Sequence, residues 1–169
     1  MTLDPRDRAA VALELGREPR GARAVAHRCP CGLPDVVETA PRLADGTPFP
    51  TLYYLTCPRA VTGASTLESA GLMREMNDRL VADPELAARY ERAHERYLAR
   101  RAEIGEVPEI AGISAGGMPT RVKCLHVHLA QSLAEGPGVN PFGDETRARI
   151  EPWWSGGPCV TVPDDAQLS

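Results

Sequence analysis

Lysine is nearly missing from this chain of 169 residues: among 19 basic side chains only Lys123 is a lysine, and the rest are arginines. A GC-rich codon habit accounts for that bias. A basic excess is missing too. With 23 Asp and Glu the formal charge is −4, so a nucleic-acid partner is not expected, since such binders carry a strong positive balance. No apolar run reaches the roughly 18–20 residues that a membrane helix needs, so no membrane association is expected. Asp4, Arg6, Asp7 and Arg8 break any apolar stretch near the start, and no secretory signal is expected. Repeats and low-complexity blocks are absent. A cytoplasmic protein with one core fits these absences, and 43% hydrophobic with 25% charged residues is ordinary globular composition.

What is present is helical punctuation around a short β region. Asp4 as N-cap and Pro5 as first residue open a helix carrying Ala9, Val11, Ala12 and Leu15, which Gly16 and Pro19 end. Ala22 to His27 reads as extended. Asp35 to Leu43 and Thr51 to Thr56 are rich in β-branched and aromatic residues and flank Asp45-Gly46-Thr47-Pro48, a hairpin pattern. Ser65 with Glu68 predicts a capping box opening a helix through Leu72, Met73, Met76 and Leu80. Asp83-Pro84 opens another, with Leu86, Tyr90, Ala93, Tyr97 and Leu98 inward, His94 beside them and a charged, solvated outer face. Pro119 to about Ala134 predicts a helix closed by Gly136-Pro137-Gly138, and a short helix follows Asp144. The expectation is a single α+β domain over 1–150, a small antiparallel sheet (a hairpin plus one short strand) covered by several helices. Residues 151–169 read as a flexible C-terminal tail.

Cysteines carry the strongest chemical signal. There are five, and an odd number in a reducing compartment argues against a disulfide framework. Thiolates bind soft and borderline metals, and Cys29-Pro30-Cys31-Gly32 sets two of them in a sharp turn. Hairpin pairing brings Cys57 to the same end. Cys124 can close a four-thiolate site for zinc or an iron–sulfur cluster, although C-x-C is not the usual zinc-knuckle spacing. The opposing reading makes Cys57 and Cys124 small buried hydrophobes.

A second signal is Lys123-Cys124-Leu125-His126-Val127-His128. On a helix Cys124 and His128 share one face, as two ligands or as a thiol with its base, and His126 faces the packed side. An extended segment instead puts Cys124, His126 and His128 on one face. A third is Gly112-Ile113-Ser114-Ala115-Gly116-Gly117, leading into an expected helix start. There Ser114, Gly116, Gly117, Arg121 and Lys123 form a candidate anion site, one that favours the Cys124 thiolate.

Five segments taken together resemble the domain-of-unknown-function family 501, a mainly actinobacterial family. They are Arg28 to Pro34, Pro48 to Pro58, Gly112 to Gly117, Arg121 to His126 and Asn140 to Gly143. The resemblance covers roughly residues 4–150. It implies a small cytoplasmic protein encoded near enolase, a septum-formation initiator and an exopolyphosphatase-type phosphatase. A protein partner in cell division or phosphate metabolism is therefore one expectation. Cys29, Cys31, Cys57, Cys124 and His126 fall inside the matching segments, whereas His128 and Cys159 do not.

Two functional readings result, besides a non-catalytic adaptor linked to cell division. One is a zinc or iron–sulfur centre on Cys29, Cys31, Cys57 and Cys124, with His126 or His128 as alternates. The other is a small enzyme for a phosphorylated or otherwise anionic ligand, with Cys124, His126 and Lys123 as candidate catalytic residues. Cys159 is expected to be dispensable.

Overall fold

A computed structural model describes residues 2–164. Its order is α1 (Pro5–Leu15), β1 (Ala22–Arg28), β2 (Pro34–Thr39), β3 (Tyr53–Leu55), α2 (Pro58–Ser69), α3 (Leu72–Ala82), α4 (Pro84–Ile104), α5 (Leu125–Glu135) and α6 (Pro141–Ile150). The three strands form one antiparallel sheet in the order β1-β2-β3, and the fold is α+β. None of the described helices is long and apolar enough to cross a membrane.

Local chemistry explains most boundaries. Asp4 accepts from the Arg6 amide, and Gly16 closes α1 in the left-handed region at φ 70°. Asp83 accepts from the amides of Glu85 and Leu86 at the start of α4. The expected hairpin forms as β2 and β3, with Val36 opposite Leu55 and Glu38 opposite Tyr53. Cys29 to Leu33 make the β1–β2 turn, where the Cys29 amide donates to the Leu33 carbonyl at 2.9 Å.

Three helix starts differ from expectation. α2 begins at Pro58 with Cys57 as N-cap, because a proline fits a first turn that needs no N–H. Ser65 therefore lies inside that helix, and Gly71, at φ 89°, separates it from α3. The segment after Pro119 is irregular, and α5 starts only at Leu125 with Cys124 extended before it. α6 starts at Pro141, ahead of Asp144, because the Asn140 side chain accepts from the amides of Phe142 and Gly143.

α5 runs through the core, burying Leu125, Leu129 and Leu133 together with the polar His128, Gln131 and Ser132. Tyr90 from α4, Phe142 from α6 and Leu52 complete that core. α6 lies so close to α5 that a Cβ at Gly143 would stand 2.0 Å from the His128 carbonyl oxygen. Only glycine permits that contact.

The buried polar groups form a closed circuit. The Tyr90 hydroxyl donates to the Arg121 carbonyl at 2.7 Å, so it faces His128 Nε2, 2.9 Å away, as an acceptor. Gly116 offers a second acceptor to Nε2 at 3.2 Å, and the Asn140 amide nitrogen stands 3.0 Å from Nδ1. This assigns the neutral tautomer with the proton on Nε2 and the lone pair on Nδ1. Burial pushes the His128 pKa down to about 4, against a smaller opposing effect of the Gly116 carbonyl.

The fold therefore prefers neutral His128, while the unfolded chain takes up a proton near pH 6.5. This contribution is present above pH 6.5 and is lost as pH falls towards 4, by about 3 kcal/mol in total. His128→Gln lacks it. Urea unfolding at pH 7 and pH 4 should show the gap between wild type and His128→Gln narrowing by about that amount.

Candidate metal centre

The β1–β2 turn, the start of α2 and the segment after α6 meet at one end of the sheet. Cys29, Cys31 and Cys159 have their sulfurs within 4.8 Å of one another. Cys159 Sγ is 3.9 Å from Cys29 and 3.8 Å from Cys31. Cys57, wholly buried at the N-cap of α2, lies beside this group on the Cys159 side, and its sulfur is not within 4.8 Å of all three. The arriving segment is held in two ways. Arg59 donates to the Gly157 carbonyl at 2.9 Å, and Trp153 is buried with Trp154 edge-on against it. Trp153 to Cys159 are thus seated on the domain, and 165–169 of the expected tail lie outside the described residues.

Electrostatics sort these thiols. Burial raises Cys29 to about 11, and it also raises Cys57 and Cys159. At Cys31 burial is outweighed by the amides of Cys159 and Leu33 and by the neighbouring thiols, which pull it below the ordinary value. Next to the cluster lies a buried acidic group. Asp35 bonds to His27 Nδ1 at 2.7 Å through one oxygen, while its other oxygen has no partner among the described residues. Burial, followed by Asp35 and Cys31, pushes the Glu14 carboxyl up to about 8.

Cys124 is not in this cluster, and Cys159 is. The reason is the length of α2. Cys57 precedes its first turn, whereas Cys124 meets Glu68 near its far end, eleven residues or about 16 Å along the axis. There Glu68, Cys124 and His126 form a second group with ligand atoms within 4.8 Å of one another. His126 Nδ1 is 2.8 Å from Glu68 Oε1 and 3.7 Å from Cys124 Sγ. His126 Nε2 is 3.1 Å from the Ser65 hydroxyl and 3.2 Å from the Val61 carbonyl. Burial would raise Cys124, but His126 and the Val127 amide outweigh it and lower the thiol. His126 is raised, first by Cys124 and then, against burial, by Glu68. Both side chains line a cleft of about 650 Å³ that runs past Glu14, Tyr53 and Thr56.

The remaining sequence candidates fall elsewhere. His128 serves the core network and does not reach Cys124. Ser114 is buried and bonds His94 Nδ1 at 2.7 Å. The glycine loop leads into no helix. A Cβ at Gly116 would stand 2.8 Å from the His128 ring, and one at Gly117 2.6 Å from the Arg121 carbonyl oxygen, so packing requires both glycines. Arg121 and Lys123 are exposed. Sequence reasoning missed Cys159, Glu68, Ser65 and Glu14 as neighbours of cysteine. For Cys159 a signal existed in Gly156-Gly157-Pro158, a flank as rich in turn residues as that of Cys29 and Cys31.

Residues 25–148 match the model of the family described as "Protein of unknown function (DUF501)". That match spans most of the chain, and the protein belongs to this family. It contains Cys29, Cys31, Cys57, Cys124 and His126, and it ends before Cys159. No curated protein and no solved structure matches the chain.

Seating of the C-terminal segment is directly testable. Trp153→Ala should lower the unfolding free energy by about 3 kcal/mol in urea titrations. The same variant should alkylate faster at Cys159 in metal-free protein, as followed by peptide mass spectrometry.

Proposed function

We propose that this protein binds a metal through the thiolates of Cys29, Cys31 and Cys159, with Cys57 as fourth ligand. The observation that carries the reading is the sulfur spacing. In a tetrahedral thiolate site with bonds of about 2.3 Å, neighbouring sulfurs stand about 3.8 Å apart. The 3.8 and 3.9 Å separations here match that edge. They favour one ion, zinc or iron, over a cluster whose cysteines bind different irons and stand wider apart. The ligands come from chain segments 130 residues apart, so the ion would tie the C-terminal segment to the sheet.

Chemistry supports the same reading. Three thiols in a small partly buried volume, none in a disulfide, repel one another once they ionise. A divalent ion relieves that repulsion by neutralising charge and accepting sulfur lone pairs. Structural zinc would make the protein an interaction module, in keeping with a partner in cell division or phosphate metabolism. Iron would make it redox-active.

Anaerobically purified protein should contain one zinc or iron per chain by elemental analysis, and visible absorbance separates coloured iron–thiolate from colourless zinc. Cys159→Ser and Cys57→Ser should lose the ion to a chelator, while Cys124→Ser keeps it. Wild-type protein holding neither metal would end this reading.

A further inference from the structure

The second cysteine group is chemically unlike the first, and the metal reading does not use it. Cys124 stands at the mouth of α5 with its sulfur towards His126, and the imidazole is clamped from both sides. Nδ1 faces the Glu68 carboxylate and the sulfur, and Nε2 faces the Val61 carbonyl and the Ser65 hydroxyl. A carboxylate on one side and a carbonyl on the other both demand an N–H. The ring that satisfies them carries two protons, is paired with the Glu68 carboxylate at 2.8 Å, and favours a thiolate at Cys124, whose sulfur is 3.7 Å from Nδ1. This is the arrangement of an activated sulfur nucleophile with its proton donor.

The surroundings identify what such a sulfur would attack. The cleft of about 650 Å³ beside it is walled by Tyr53, Tyr54, Leu55, Val61 and Val127, and neither Lys nor Arg lines it. Its ionisable wall groups besides Cys124 and His126 are Glu14 and the phenols of Tyr53 and Tyr54, so the one cation facing a phosphate among the described lining residues is the His126 ring, already paired with Glu68. The exposed Arg121 and Lys123 lie outside it. The other lining side chains are aliphatic or carry hydroxyls, as Thr51, Thr56 and Thr62 do, and the Thr56 hydroxyl is buried beside Glu14. An uncharged acyl group with a single polar carbonyl suits that lining.

We infer that Cys124, His126 and Glu68 form a thiol acyl-transfer site whose substrate is an ester or thioester with an uncharged acyl chain. The Cys124 sulfur attacks the carbonyl carbon and the S–C bond forms. The bond from that carbon to the leaving alcohol or thiol breaks, and the leaving group takes the proton of His126. Water then attacks the S-acyl carbon and gives a proton to the now neutral His126. The S–C bond breaks and releases the carboxylic acid with the thiolate restored. Glu68 is a positioning residue: it holds the ring so that Nδ1 stays beside the sulfur.

The probe is p-nitrophenyl butyrate, with the full chain in its metal-bound form. Expected are a burst of one p-nitrophenolate per chain and a butyryl adduct on Cys124 found by peptide mass spectrometry. Cys124→Ala removes the burst, and His126→Asn slows acylation on the order of 100-fold. Iodoacetamide labelling of Cys124 across pH 5–9 adds a readout that a structural role would not move. Its midpoint lies below that of an ordinary thiol in wild type and shifts upward in His126→Asn and Glu68→Gln. Unchanged midpoints, or an adduct on another residue, overturn the assignment. So does a zinc ion that protects Cys124 from labelling and disappears in Glu68→Gln, which would make this group a metal site. Failure here leaves the ion at Cys29, Cys31 and Cys159 untouched, because Cys124 variants keep it if the first reading holds.

Discussion

The neutral imidazole of His128 is the joint on which the interior is built. Through one ring it meets α4 at Tyr90, the glycine loop at Gly116 and the cap of α6 at Asn140. Asn140 passes the connection to Gln131, which donates to the Ala93 carbonyl of α4. Each buried donor in this circuit has an acceptor, the condition under which polar groups in a core specify one arrangement. The circuit also fixes where α5 starts, since Gly116 accepts the Lys123 amide and Gly117 the Arg121 amide. With the chain pinned there, Cys124 can only emerge beside the far end of α2.

Two cysteine environments thus arise from one helix. At the start of α2 a thiol joins others in a compact group, and towards its end a thiol meets a histidine and a carboxylate. The same element type with different neighbours yields different chemistry: crowded sulfur at one end, charge-paired sulfur at the other. Two salt bridges outside these sites link layers instead. Arg100 of α4 reaches Glu38 of β2 at 2.8 Å, and Arg96 reaches Glu135 of α5 at 2.6 Å. The charged face of α4 is therefore partly a set of struts.

How much of this was legible in the sequence follows the range of each interaction. Asp4, Asp83 and the strand composition of Thr51 to Thr56 act locally, and the elements they predict are present. Ser65-x-x-Glu68 also looks local, yet Pro58 claims the helix start seven residues earlier, so both side chains were free to serve Cys124 and His126. The glycines of the loop resemble an anion cradle by composition, but their cause is a ring and a carbonyl that only folding brings near. Cys159 carries turn residues of its own in Gly156-Gly157-Pro158, but its partners are about 130 residues away and no local pattern encodes that distance. Cys29 and Cys31 were legible because turn chemistry marks them.

β1 is an outer strand of the sheet, and its form has a bearing on self-association. Its register slips three times along β2, between Ala22 and Ala24, Val25 and His27, and His27 and Arg28. Bulges of this kind twist an edge away from straight pairing. Arg23 and Arg28 add charge, each tied down by a carboxylate at Glu38 and Asp7. A strand from a second molecule would have to break those pairs and follow a crooked template. Growth of the sheet by strand addition is therefore discouraged on the side that bears the Cys29–Cys31 turn, which stays open to receive Cys159.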